Sequence, residues 1–206
     1  PLLLTIICLI HQTEKEGLPD TRIELYEKAS MWLLLHWQAA RQGSKKPVLV
    51  SRLSEGDIRD NNYNAINPEH IMWFLQAVSY QAQASGETSQ SQQELASINE
   101  SLLQANRHML GEGQTEKGID IFIEYCESEN GLLQKHGIDA QNNREYVFPH
   151  RSFQEYLAAG FLDQNKNHRK AANKAGEMEW RETLLFYAEM QRGQPDQLGL
   201  FLETLC

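Results

Sequence analysis

Cysteine is scarce here: three in 206 residues, Cys8, Cys126 and Cys206, odd in number and without framework spacing. That excludes a disulfide scaffold and makes reduced thiols in a cytosolic protein the expectation. Apolar runs of membrane-spanning length are also missing, because a bilayer needs about 20 consecutive apolar residues. The apolar start, residues 1–10, has neither the basic lead nor the small-residue cleavage site of a secretory signal. No G-x-x-x-x-G-K-[ST] loop and no G-x-G-x-x-G fingerprint occurs, so the chain brings no phosphate cradle of its own. The seven histidines do not gather with cysteine or carboxylate at metal-ligand spacing. Cys8 and His11 lie one helical turn apart, and two ligands do not hold a zinc ion. No serine stands in a nucleophile-elbow context. Positive charge is in the minority, 19 Lys and Arg against 28 Asp and Glu, and the net charge of −9 disfavours nucleic acid and anionic membrane as partners. Neither a catalytic residue nor a metal site is expected in these residues.

What remains is an ordinary globular composition, 41% hydrophobic and 23% charged, long enough for one or two domains with a sizeable core. Both ends are apolar, Pro1-Leu2-Leu3-Leu4 and Phe201-Leu202-Glu203-Thr204-Leu205-Cys206, whereas natural termini are usually polar. A piece of a longer polypeptide is therefore expected. The patterning is helical almost throughout. Residues 1–13 are apolar on all sides, which implies a buried helix. After the turn Gly17-Leu18-Pro19-Asp20, with Asp20 or Thr21 as cap, the residues Ile23, Tyr26, Ser30, Leu33, Leu34 and Trp37 recur at helical spacing, and Gly43 to Pro47 ends that helix. Met31, Trp32 and Trp37 are expected to pack in a core or between domains, as are Trp73 and Phe74. The polar stretch 48–67 is the natural subdomain boundary. Asn67-Pro68 then reads as a cap with proline at the first helical position.

The next helix carries Ile71, Phe74, Leu75, Val78 and Ala82, and the Ser-, Gln- and Gly-rich residues 85–93 read as a loop. A helix with Leu95, Ile98, Leu102, Ala105 and Met109 follows, then one over 115–128 with Ile119, Phe122, Ile123 and Cys126, stopped by Asn130-Gly131. Two short strands are expected near residues 132–136 and 145–148, joined by a polar loop. Three helices and a two-stranded hairpin are the parts of a winged helix. Phe153, Tyr156, Leu157, Gly160 and Phe161 then mark a packing helix. Residues 163–178, with Lys166, His168, Arg169, Lys170 and Lys174, read as a solvated linker rather than a nucleic-acid contact. Trp180, Leu184, Tyr187, Ala188 and Gln191 mark a helix, and after Gln194-Pro195-Asp196 comes a last apolar one. Such a pair can begin a helical solenoid, although two elements set no repeat period. The expected fold is thus mainly α: a small helical domain at 1–66, a winged-helix domain with a small two-stranded β-hairpin at 67–162, and a linker with solenoid-like, HEAT-like helices at 163–206.

The most informative stretch is Phe148-Pro149-His150-Arg151-Ser152-Phe153-Gln154-Glu155-Tyr156-Leu157-Ala158-Ala159, a strand end running into an amphipathic helix. A histidine at the mouth of a helix can donate to an anion where the free amides are already electropositive. On its own, His150 would more simply bond a backbone carbonyl at that junction. Ser152 and Glu155 have the S-x-x-E spacing of a capping box, which accounts for both without a ligand. Arg151 lies in the same region, and an exposed arginine in a first turn is normally solvated.

Together with Pro1-Leu2-Leu3-Leu4-Thr5-Ile6-Ile7, with Leu18-Pro19-Asp20-Thr21-Arg22-Ile23-Glu24-Leu25-Tyr26 and with Asn130-Gly131-Leu132-Leu133, this stretch resembles the NACHT-type members of the STAND class of signalling NTPases. The resemblance covers most of residues 1–162. It implies a regulatory segment lacking the phosphate loop and the magnesium-binding acid of the parent ATPase. In that family a resting protein holds ADP between the NTPase core and the winged helix; His150 is similar to the histidine that reaches the β-phosphate, and Pro1 to the proline packed near the adenine. Exchange for ATP would release the winged helix and let the protein oligomerise. The implied cofactor of the parent is ATP or ADP with Mg. The implied partners are the adjacent NTPase core, protein partners of the downstream helices and further copies of the parent, in cytoplasmic defence or stress signalling.

Two readings of other classes stand beside it. A helical adaptor would bind protein through the last helices. A DNA-binding winged helix would use residues 115–128 for recognition, but Glu116, Asp120, Glu124 and Glu127 against Lys117 would repel phosphates.

Overall fold

The computed structural model describes residues 19–41, 68–87, 89–105, 132–192 and 195–205, with isolated helical positions at Leu4, Ile7, Cys8 and His11. Helix α1 spans Arg22–Arg41. Its start is capped reciprocally: the Glu24 amide donates to Thr21 Oγ1 (3.2 Å), and the Asp20 amide donates to Glu24 Oε2 (3.1 Å). The first bond satisfies a donor that a helix start leaves without an intrahelical acceptor, and the second ties the preceding residue to the first turn. The helix buries Tyr26, Ala29, Ser30, Trp32, Leu33 and Leu34, which includes most of the expected stripe. The side chain of Trp37 lies outside the described residues. So do most of residues 1–13, where an all-round buried helix was expected. The described positions there are helical, but Leu4 keeps 65% of its surface exposed and Cys8 is exposed as well. At those positions the segment is not buried.

Helix α2, Pro68–Ser85, begins on its proline as expected and buries Ile71, Phe74, Leu75, Val78 and Ala82. Residues 85–93 are not simply a loop. Gln90–Ser91 form strand β1, and helix α3, Gln92–Ala105, starts directly after it. Ser91 and Glu94 make the capping box: the Glu94 amide donates to Ser91 Oγ (3.3 Å) and the Ser91 amide to Glu94 Oε2 (2.7 Å). Leu95 of α3 is fully buried. The helix expected at 115–128 lies outside the described residues.

Strands β2, Gln134–Ile138, and β3, Arg144–Val147, follow. Among the described residues the sheet therefore has three strands rather than two, in the order β1-β3-β2, every pairing antiparallel. Gln90 pairs with Tyr146 and Lys135 pairs with Tyr146 from the other side, with a register shift between Lys135 and Gly137. Two polar residues carry no hydrophobic alternation, so β1 exists only because β3 offers an edge to pair with. The β2–β3 turn is built by Asp139, whose carboxylate accepts from the amides of Gln141 (2.9 Å) and Asn143 (2.7 Å) and from Asn143 Nδ2 (2.9 Å). Asn142 sits there at φ 67, a left-handed conformation that asparagine tolerates. Helix–strand–helix, then a hairpin that pairs back on the first strand, is a winged-helix order.

Helix α4, Arg151–Gln164, runs through the middle of the core, with α2 along one side. It also packs on α6, Arg181–Gln191. It buries Phe153, Tyr156, Leu157, Ala158, Ala159, Gly160 and Leu162. Gly160 permits the close approach of α2: a Cβ there would stand 2.5 Å from Gln76 Nε2 and 3.0 Å from its Cδ. The segment 163–178 is not an unstructured linker. Asn167 Oδ1 accepts from the Lys170 amide and caps α5, His168–Asn173, which buries Ala171; a 3-10 turn at Met178–Trp180 leads into α6. Tyr80 stacks on Phe161 (4.6 Å between ring centres) and meets Trp180 edge-on (5.4 Å), which pins that turn to α2 and α4. Helix α7, Pro195–Leu205, packs on α5 and sets Phe201 against Tyr187.

Candidate functional site

The site grows from the end of β3. Phe148 is partly buried against the core, Pro149 removes a donor and fixes φ, and the chain turns into α4 at His150. His150 is the N-cap residue, in extended conformation (φ −131, ψ 113). Its carbonyl accepts from the amides of Phe153 (3.1 Å) and Gln154 (3.4 Å). Its imidazole makes no capping bond, and the residue is exposed. As N-cap, His150 contributes its backbone carbonyl and not its ring. His150 is thus an exposed residue at the electropositive start of α4. Pro1, the other expected ligand residue, lies outside the described residues.

Ser152 and Glu155 do not form the capping box. The N-cap is His150, one residue before Arg151, which places Ser152 inside the helix rather than at its cap. Glu155 is occupied elsewhere: its Oε1 accepts from Arg151 Nε at 2.9 Å, one turn earlier. Glu155 keeps only 7% of its surface, and burial raises its carboxyl above the ordinary range, against the pull of the Arg151 hydrogen bond and charge. Arg151 itself is turned to Glu155, with much of its side chain in solvent.

Beside this turn lies a cluster that sequence reasoning missed. Arg22, the first residue of α1, donates from Nη2 to Glu182 Oε2 of α6 (2.9 Å), and its guanidinium lies 3.8 Å from the Phe186 ring centre. Tyr26 contacts Phe153 (5.2 Å), Tyr156 (5.5 Å) and Phe186 (4.9 Å) in the same seam. These pairings join residues as much as 160 positions apart, so no local pattern announces them. Burial raises the Tyr156 hydroxyl well above its ordinary range and Tyr187 to about 12, so both stay neutral.

The features a nucleic-acid reader would need are weak. An open cleft between β1, α3 and the β2–β3 turn is lined by Glu87, Glu94, Asp139 and Glu145 among uncharged Ser, Gln, Asn and Gly residues, with no cation in its lining. Lys174 pairs with Glu177 (2.9 Å) and lies over Trp180, and Lys170 lies over Tyr80, so these cations cover aromatic rings of the fold. The recognition helix of that reading lies outside the described residues. Among the described residues no group of three His, Cys, Asp or Glu could hold a metal ion, and no helix is long and apolar enough to cross a membrane.

Residues 22–162 match the family model of the winged helix-turn-helix domain C-terminal to NACHT. The match covers well over half of the chain, and the chain belongs to that family. No curated protein matches it.

Proposed function

We propose that this winged helix, C-terminal to NACHT by family, clamps ADP in the resting state of a signalling ATPase and releases it when nucleotide exchanges. The observation that carries the reading is His150: an exposed residue at the electropositive start of α4 whose ring makes no capping bond. That arrangement fits a phosphate, because a neutral or protonated imidazole donates and the helix start is electropositive. ADP, with Mg supplied by the neighbouring NTPase core, would be held by His150 at its phosphates and by Pro1 beside its base. The bound nucleotide supplies the negative charge that both modules share. His150 supplies one hydrogen bond and orients nothing else. The segment itself catalyses nothing; hydrolysis belongs to the phosphate-loop core of the parent.

A charge-assisted hydrogen bond contributes about 1.5–3 kcal/mol. That corresponds to roughly ten- to hundredfold in affinity, the scale on which one site is coupled to another. Loss of the contact would free the winged helix and permit the parent to oligomerise, in a cytoplasmic defence or stress pathway. The test is ADP affinity in the NACHT-containing protein. His150→Ala should weaken ADP by about tenfold or more and favour the oligomer; unchanged affinity and an unchanged resting state would refute the role of this residue.

A second reading coexists with the first. Leu185, Leu200 and Leu202 are exposed on α6 and α7, which suits a helical adaptor surface for protein partners. Pull-down partners lost on Leu200→Ser with ADP affinity intact would assign that role to the C-terminal helices.

A further inference from the structure

The first turn of α4 is left without a side-chain cap, because the ring of His150 makes no capping bond and Ser152 lies inside the helix. The amides of Phe153 and Gln154 close on the His150 carbonyl, the second at a long 3.4 Å. What the turn lacks locally it receives from α2. Gln154 Nε2 donates to Gln83 Oε1 at 3.2 Å. Gln83 Nε2 donates in turn to the Glu179 carbonyl at 2.6 Å, in the 3-10 turn that leads into α6. Gln83 keeps only 7% of its surface exposed. A buried amide costs free energy unless its polar atoms are bonded, and here the oxygen and the nitrogen each have a partner. Tyr80, its neighbour one turn earlier on α2, stacks on Phe161 of α4 and meets Trp180 of the 3-10 turn edge-on. The stem of Gln83 thus rises from a part of α2 that is fixed against both of the segments it bridges.

We propose that Gln83 is the positioning residue of the His150 turn, a bracket from α2 that holds Gln154 while anchored on the Glu179 carbonyl. Gln83 acts through Gln154, whose own amide closes on the His150 carbonyl, so the backbone that carries the imidazole is restrained from a second helix. An apolar side chain of equal length would fill the same space and leave the turn to open as helix ends do. Both side chains are uncharged amides, so the bridge itself does not titrate. The restraint on the turn stands on these bonds alone; its consequence for nucleotide rests on the function proposed above.

Hydrogen exchange on this chain tests the restraint without nucleotide. Gln83→Met keeps the length of the side chain and removes both bonds. It should lower the protection of the Phe153 and Gln154 amides about two- to tenfold, the range that one hydrogen bond commands. Amides 157–162 of the same helix should keep their wild-type protection. Adding Gln154→Met should lower protection at 153 and 154 no further, because the bond it removes is already gone. A merely structural role would loosen α4 along its whole length and would add to the effect of Gln154→Met. Unchanged protection at 153 and 154, a loss spread evenly through α4, or additive single effects would each overturn the proposal. Should Gln83→Met unfold the chain, Gln154→Met alone decides: protection lost at 153 and 154 supports the bridge, and wild-type protection there refutes it. In the NACHT-containing protein, Gln83→Met should weaken ADP about two- to fivefold and add nothing to His150→Ala. If His150→Ala leaves ADP affinity unchanged, the nucleotide reading fails while the exchange result still decides the restraint. If His150→Ala weakens ADP and Gln83→Met does not, the positioning role fails and the nucleotide reading survives.

Discussion

The body of α4 and the β2–β3 turn stand a few residues apart in sequence and are held in opposite ways. Along α4 the contacts are apolar and shape-dependent: Leu157, Ala158 and Ala159 have no exposed surface, and Gly160 makes room for Gln76. In the turn the chain is held by polar bonds, three of them to the carboxylate of Asp139 and two between backbone groups. Between them lies His150, which belongs to α4 by its carbonyl and to the surface by its ring. The difference teaches where presentation becomes possible. A helix start can offer its amides to an anion only if something else fixes the helix, and here the apolar body does so. The cleft beside the wing counts Asp139 and Glu145 among its lining residues, while the strands of the wing also carry the exposed Lys135 and Arg144.

The sharpest break in this contrast should come from α4 itself. Leu157→Ala leaves a cavity at the α2–α4–α6 seam and should cost about 2–5 kcal/mol in urea unfolding. A cost below about 1 kcal/mol would mean that the seam collapses freely and anchors little. Gly160→Ala should cost about 1–3 kcal/mol by overpacking against Gln76. Gln76→Ala in the same chain should recover part of that loss, and failure to recover it would place the strain elsewhere.

Acidification sharpens the comparison with a smaller effect, because the two regions respond with opposite sign. The Asp139 carboxyl is depressed by its hydrogen bond to Asn143, first among its causes, so its contribution is present above the ordinary aspartate range and lost as pH falls through the depressed value. The Glu155 carboxyl is raised by burial, so the folded state holds that proton more tightly, and stability is gained as pH falls through the raised value. From neutral to mildly acidic pH the core should therefore gain before the wing loses. Glu155→Gln should abolish the gain; an identical stability-versus-pH curve in that variant would contradict the assignment.

Much of this architecture was legible from spacing alone. The stripe of Phe153, Tyr156 and Leu157 found its helix, Pro68 found the start of α2, and the hairpin lay within two residues of its expected place. Family-like residues around His150 located the turn that the winged helix exposes. What escaped has physical reasons. Strand β1 is two polar residues that pair only because β3 is there, and α5 is six residues fixed by the Asn167 cap and one buried alanine. Several S-x-x-E spacings occur in the sequence, and Ser152–Glu155 was read as a capping box while the one that forms, Ser91–Glu94, was passed over. Ser91 ends the short strand β1 and caps α3, whereas Ser152 lies inside α4, whose cap is His150. Arg22 and Glu182 meet only through the fold.

The measurement closest to the central claim is hydrogen exchange at residues 150–153 in the NACHT-containing protein, with and without ADP. The account predicts slower exchange at that turn when ADP is bound, lost in His150→Ala, with residues 139–143 of the wing unaffected by nucleotide. Equal rates at 150–153 in the two states, or an ADP response centred on the wing, would contradict it.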